Sequence, residues 1–168
     1  HAPYVAAAAA AGKNIICEKP IGLSLKEAEG MYAAAEKAGV LFEVHQNRRW
    51  DDDFLTVKKI FESGEIGGVY KIESRVTGAN GIPGDWRTKK AQGGGLMLAW
   101  GVHLIDQMFQ MVPGKPESLY CEYRYLYGEE VAAGCAPVVT FQGDIQYRTP
   151  VPTNCFPTPP PVPPPSPA

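Results

Sequence analysis

The chain has 168 residues, is 45% hydrophobic and carries a formal net charge of -2, with 16 basic and 18 acidic side chains interspersed. That length and apolar content suit one ordinary domain or parts of two with a packed core, and the lack of a basic excess argues against nucleic acid as a partner. Cys17, Cys121, Cys135 and Cys155 form no CxxC pair, so they indicate neither a zinc site nor a disulfide framework and read as reduced thiols in a cytoplasm. The longest apolar run, Val5 to Ala11, is far shorter than the roughly 20 residues of a membrane-spanning helix. The chain opens at His1 with no signal-peptide pattern, and we expect a fragment of a longer protein.

Alanine content predicts a helix over Ala2–Ala11, stopped by Gly12. The apolar run Asn14–Cys17 enters the turn Glu18-Lys19-Pro20, as a buried parallel strand would. Ser24-Leu25-Lys26-Glu27 has capping-box spacing, and a helix over Leu25–Ala38 closes at Gly39 before a strand over Val40–His45. This alternation of helix and strand is the α/β pattern of a parallel sheet.

Asp51, Asp52 and Asp53 place negative charge at the start of a third helix, whose Phe54, Val57, Ile60 and Phe61 share one face and which ends at Ser63-Gly64. Beyond it the pattern changes. Val69–Thr77 alternates, with Tyr70, Ile72 and Val76 on one side and Lys71, Glu73 and Arg75 on the other, which predicts a half-exposed antiparallel strand. Leu119–Tyr127 reads the same way, and Pro137–Phe141 with Ile145–Arg148 predicts a hairpin around Gln142-Gly143-Asp144. The last segment, 149–168, is dominated by proline and reads as a disordered or polyproline II tail.

Two residues stand out for chemistry. Lys19 follows a strand and precedes Pro20, at the strand end where α/β proteins bind ligands. Its ammonium can donate to an oxygen whose charge develops during reaction; a solvated lysine or a partner of Glu18 is the competing interpretation. His103 lies on the apolar helix that follows Gly93-Gly94-Gly95. It can serve as a general base, worth roughly 10²- to 10⁴-fold in rate, or as a satisfied core histidine. Asp106 falls three residues later and can share its face, or act as a solvated or capping carboxylate. His1 and His45 are remote from His103 in sequence, so no metal site is assigned.

Several motifs, in order, resemble the glucose-fructose oxidoreductase and inositol dehydrogenase family, also called Gfo/Idh/MocA oxidoreductases. They are Ala11 through Pro20, Asn47-Arg48-Arg49-Trp50, Ser63-Gly64-Glu65-Ile66-Gly67, Asp85-Trp86-Arg87, and Gly93-Gly94-Gly95 through Gly101-Val102-His103-Leu104-Ile105-Asp106. The resemblance spans His1 to about Phe141. It implies the C-terminal part of a Rossmann NAD(P)-binding domain over 1–50, then a partial open, mostly antiparallel sheet domain for substrate and oligomerisation over 51–148.

It further implies hydride transfer between NAD or NADP and a sugar, polyol or related hydroxyl compound. Lys19 and His103 match the catalytic lysine and histidine; Glu18, Lys19, Pro20, Trp86 and Arg87 match positions on the cofactor side. Pairing of copies through the open sheet face is implied as well. Three departures accompany the resemblance. The chain holds no GxGxxG turn, Ala99 stands where the family has Asp in Gly-Gly-Gly-x-x-x-Asp-x-Gly-x-His, and the likeness fades after Gly143. The alternative expectation is a non-catalytic relative that binds a sugar or a partner.

Overall fold

In the computed structural model, residues 1–76, 85–125, 131, 134–141 and 146–148 are described. The expected turn at 142–144 and the proline-rich segment 149–168 lie outside them.

The first part of the chain is built around a parallel strand pair. β1 (Ile15–Glu18) lies beside β2 (Phe42–His45), with Ile15 opposite Phe42 and Glu18 opposite His45. Parallel neighbours require a crossover, and α2 (Leu25–Ala38) provides it. Its first turn is capped as the sequence predicts: Ser24 Oγ accepts from the Glu27 N–H at 3.2 Å. The Glu27 carboxylate turns back one residue further than in the usual box, accepting from the Leu23 N–H at 2.7 Å. Gly39 ends the helix in the left-handed region, at φ 65°, where a Cβ would be strained.

α1 (Ala2–Ala10) precedes this unit. Its Val5 joins Cys17 and Met31 in one core, against which Ile15, Ile21 and Phe42 pack. On the opposite face of the strand pair Ile16 is 76% exposed among the described residues.

A 3₁₀ turn, Asn47–Trp50, leads into α3 (Asp52–Ser63). Phe54 is buried and Phe61 packs on the same core, but Val57 and Ile60 are 52% and 41% exposed. The apolar stripe of α3 is therefore wider than the surface that covers it.

The second sheet has the order β3-β6-β5-β4, formed by β3 (Lys71–Glu73), β4 (Pro116–Arg124), β5 (Gly134–Phe141) and β6 (Gln146–Arg148). β4 with β5 and β5 with β6 are antiparallel, as expected for this region. β3 corrects the expectation of an antiparallel strand, because it runs parallel to β6. Alternation along a strand reports which face is buried and carries no information on the direction of a neighbour. Here the chain passes through α4 (Val102–Met111) and the β4–β5 pair before returning, a long connection that permits parallel pairing. Tyr70 falls just before the strand and is 78% exposed, rather than sharing the covered side with Ile72.

α4 lies on the covered face of this sheet, where Met108, Met111 and Val112 pack with Val139, Phe141 and Phe54. Among the described residues, no helix is long and apolar enough to cross a membrane.

Candidate active site

The turn after β1 and the entry to α4 meet. Lys19, joined to Pro20 by a cis peptide bond, donates from Nζ to the Ala99 carbonyl oxygen at 2.8 Å. Glu18 takes a different partner: its Oε1 lies 2.9 Å from His45 Nδ1. That hydrogen bond holds the Glu18 carboxyl below its ordinary range. Lys19 is therefore held by a neutral carbonyl. Partial burial pulls its pKa down, and the guanidinium charges of Arg87 and Arg48 add to the effect.

Glycines make the approach of these segments possible. Gly95, at φ 105°, donates its N–H to the Arg87 carbonyl at 2.8 Å. A Cβ on Gly94 would lie 2.5 Å from the Arg87 carbonyl oxygen and 2.8 Å from the Lys89 nitrogen. The glycine cluster thus lets the Trp86–Thr88 turn dock backbone to backbone on the helix entry. Met97–Gly101 then forms a π-helical turn, with the Val102 N–H reaching the Met97 carbonyl, before α4 begins.

His103 opens α4 and is 4% exposed. Among the described residues, its Nδ1 is buried without a hydrogen-bond partner. Burial brings its pKa from 6.5 down to about 4, reinforced by the charges of Lys19 and Arg48 and opposed by Asp106 and Asp51. The imidazole is therefore neutral at ordinary pH. Ala99, one turn earlier and 3% exposed, offers no side-chain acceptor to it. The competing role of a hydrogen-bonded core histidine does not describe Nδ1.

Two consecutive arginines tie the 47–50 turn to this helix. Arg49 makes a forked pair with Asp106, Nε to Oδ2 at 2.8 Å and Nη2 to Oδ1 at 2.7 Å. Asp106 is thus an inward-facing partner, neither solvated nor capping. Arg48 lies with Cζ 4.2 Å from the centroid of the Trp100 ring, and Gln107 Nε2 donates to the Arg48 carbonyl at 2.9 Å. Sequence reasoning named these arginines only as part of a motif; their partners lie too far along the chain for local spacing to reveal.

A cavity of about 510 Å³ opens beside the Lys19 turn, and Glu18, Lys19, Pro20, Trp86 and Arg87 all line it. Arg87 is paired with Asp85, and its guanidinium lies 4.7 Å from the Trp86 ring centroid. His103 is not part of that lining. The cavity offers an ammonium and a guanidinium to oxygen atoms, and an indole ring and proline to a flat heterocycle. These features fit the nicotinamide and ribose end of a dinucleotide. A second cavity, of about 440 Å³, lies beside α2 and β2 and includes Arg49, Asp106 and Gln46, whose Oε1 is buried without a partner.

A parallel strand–helix–strand unit with a lysine turn after its first strand, followed by an α+β sheet whose helix carries a histidine, has the architecture of an oxidoreductase of the NAD-binding Rossmann type. Residues 1–46 match the oxidoreductase family's NAD-binding Rossmann fold, and residues 54–155 match the GFO/IDH/MocA C-terminal domain. The chain belongs to the Gfo/Idh/MocA family of oxidoreductases.

Among its relatives, the uncharacterized oxidoreductase C115.03 of Schizosaccharomyces pombe is 40% identical over 121 residues, covering 71% of this chain and 33% of the relative. The scyllo-inositol 2-dehydrogenase (NADP(+)) IolW of Bacillus subtilis is 33% identical over 121 residues, again 71% of this chain and 33% of the relative. In structure, an NAD-binding protein from Listeria innocua superposes with a TM-score of 0.88 at 42% identity, covering 94% of this chain and 47% of that one. The chain therefore spans about a third of the length of these curated relatives.

Proposed function

We propose that the chain contributes the acid/base site of an NAD(P)-dependent dehydrogenase that acts on the CH–OH group of a sugar, polyol or related compound. The observation that carries this reading is the convergence of Lys19 and His103 at Ala99: the lysine bonds its carbonyl and the histidine follows one turn later. A neutral imidazole is the form able to accept a hydroxyl proton, and its pKa of about 4 keeps it neutral. Lys19, still a donor, stabilises the negative charge that grows on the substrate oxygen. Burial and the neighbouring guanidinium groups lower its pKa and so ease donation. When bound, the nicotinamide supplies the hydride acceptor. Glu18, Lys19, Pro20, Trp86 and Arg87 would hold that end of the cofactor.

In this reading the chain divides near residue 50, with a partial nucleotide-binding unit over 1–50, a substrate unit over 51–148 and a proline-rich tail over 149–168. A cytoplasmic location and pairing of copies through the open sheet face accompany it. The polyol assignment draws on relatives named as a scyllo-inositol and a myo-inositol 2-dehydrogenase.

Ala99 weakens the site. In a comparable base-orienting arrangement, loss of the carboxylate lowered the rate by about 10⁴. The unpartnered Nδ1 of His103 is what such a loss leaves behind, and it also favours a second reading, a non-catalytic relative that binds a sugar or partner. Turnover of Ala99→Asp with NAD⁺ or NADP⁺ and a panel of polyols separates the two. The dehydrogenase reading predicts a gain over the unmodified chain of up to about 10⁴-fold, abolished by adding His103→Gln. No turnover in either form, or a gain that survives His103→Gln, would overturn it.

A further inference from the structure

Among the described residues, His103 Nδ1 is buried without a hydrogen bond, so at that atom no acceptor or donor fixes the ring. Its surroundings hold it by contact instead. Trp100, three residues earlier, meets the His103 ring edge to face, with centroids 5.9 Å apart and planes at 67°. The indole is in turn covered by Arg48, whose Cζ lies 4.2 Å from its centroid. Arg48 is not free to wander: Asp51 Oδ2 accepts from its Nη1 at 2.7 Å. Its backbone carbonyl accepts from Gln107 at 2.9 Å, so the 47–50 turn grips α4 on both sides of His103.

We propose that Arg48 and Trp100 are positioning residues: the guanidinium, stacked on the indole, holds it edge to face against the His103 ring, in place of a hydrogen bond at Nδ1. The inference rests on His103 being the proton acceptor, although the contacts do not. A planar guanidinium is required, because it covers an aromatic face over its whole area whereas an ammonium touches it at a point. The same stack brings a positive charge toward the imidazole. Among the described residues, the charged groups that act on the ring are Lys19 from the turn after β1, Arg48 and Asp51 from the turn before α3, and Asp106 from its own helix. Arg48 is therefore a mechanical support whose charge, after burial and Lys19, also disfavours protonation of the ring.

Nuclear magnetic resonance of the full 168-residue chain, labelled at histidine and tryptophan, tests this without any turnover. The unmodified chain should give one set of His103 ring signals, with cross-peaks to the Trp100 indole and a titration midpoint near pH 4. Arg48→Lys keeps the charge and loses the plane: the midpoint should stay low while the cross-peaks fade and the ring signals broaden or split. Arg48→Met should also raise the midpoint; should it not fold, Arg48→Lys alone carries the test. Adding Ala99→Asp, which gives Nδ1–H an acceptor, should restore a single sharp set in Arg48→Lys.

Ring signals and cross-peaks in Arg48→Lys identical to the unmodified chain would overturn the proposal, as would splitting that Ala99→Asp does not relieve. Absence of dehydrogenase activity would remove the catalytic reading and leave this packing result standing. Unchanged ring signals beside normal activity would do the reverse.

Discussion

At the end of β1, Lys19 lines a cavity and donates to the Ala99 carbonyl, whereas His103 on α4 is 4% exposed and has no partner at Nδ1. Burial acts on both, and each loses affinity for its proton. The lysine keeps a hydrogen bond and an open side, so it remains a usable donor. The histidine avoids the cost of a buried charge by becoming neutral, and among the described residues no hydrogen bond orients its Nδ1. The contrast separates two requirements of an acid/base site. Protonation state is set by burial and by neighbouring cations, and both survive in this chain. Orientation by a hydrogen bond needs an acceptor in one place, and the Ala99 side chain supplies none; the Trp100 ring meets the imidazole instead.

The largest expected effect on stability comes from the histidine. Its pKa falls from 6.5 to about 4 on folding, so between those values the unfolded chain binds more protons than the folded one. The associated stability is therefore fully present above about pH 6.5 and is lost as pH falls toward 4, on the order of 3 kcal/mol in all. Urea midpoints across that range should slide downward with acidity in the unmodified chain and far less in His103→Leu. Equal slopes would mean that the imidazole is not buried as described.

The docking of the Trp86–Thr88 turn onto the entry to α4 depends on Gly94. Gly94→Ala forces a Cβ against the Arg87 and Lys89 backbone, and should cost about 2 kcal/mol in chemical denaturation. Gly30→Ala is the matching control, because no atom lies within 4 Å of its Cβ position inside α2; it should stabilise by about 0.8 kcal/mol through helix propensity.

Arg49→Gln should be milder, about 1 kcal/mol, since Arg49 is 38% exposed although Asp106 is only 14% exposed. Chemical denaturation of the variant checks this loss. The smallest change in stability is expected for Lys19→Met. Its readout is again the His103 midpoint, which should rise once the ammonium no longer opposes protonation. A midpoint that stays put would show that the two groups do not sense one another.

Local features were readable from the sequence wherever neighbours along the chain decide the outcome. Ser24, Gly39 and Gly64 mark helix ends by their own chemistry, and α2 has the bounds Leu25–Ala38 that its cap and stop residues imply. What depended on distant partners was not readable. The parallel direction of β3 is set by β6, and the exposure of Val57 and Ile60 by the limited surface that reaches α3. For the candidate site, Lys19 and His103 could be singled out as candidates, because a lysine before proline and a histidine on an apolar helix are unusual. The forked Arg49–Asp106 pair and the Arg48–Trp100 stack required the fold, since they join a turn after β2 to a helix about fifty residues later. The π turn at Met97–Gly101 likewise has no signature in the periodicity, which cannot distinguish a single widened turn from α-helix.

Transfer of deuterium tests the central claim most directly. The chain and its Ala99→Asp form are incubated with NAD⁺ or NADP⁺ and a polyol deuterated at the carbinol carbon, and the nicotinamide is analysed by mass spectrometry. Dehydrogenation at the Lys19 and His103 site predicts deuterated nicotinamide, more of it with Ala99→Asp, and none once His103→Gln or Lys19→Met is introduced. Undeuterated nicotinamide from both forms across the polyol panel, or label that persists without His103 and Lys19, would contradict the account.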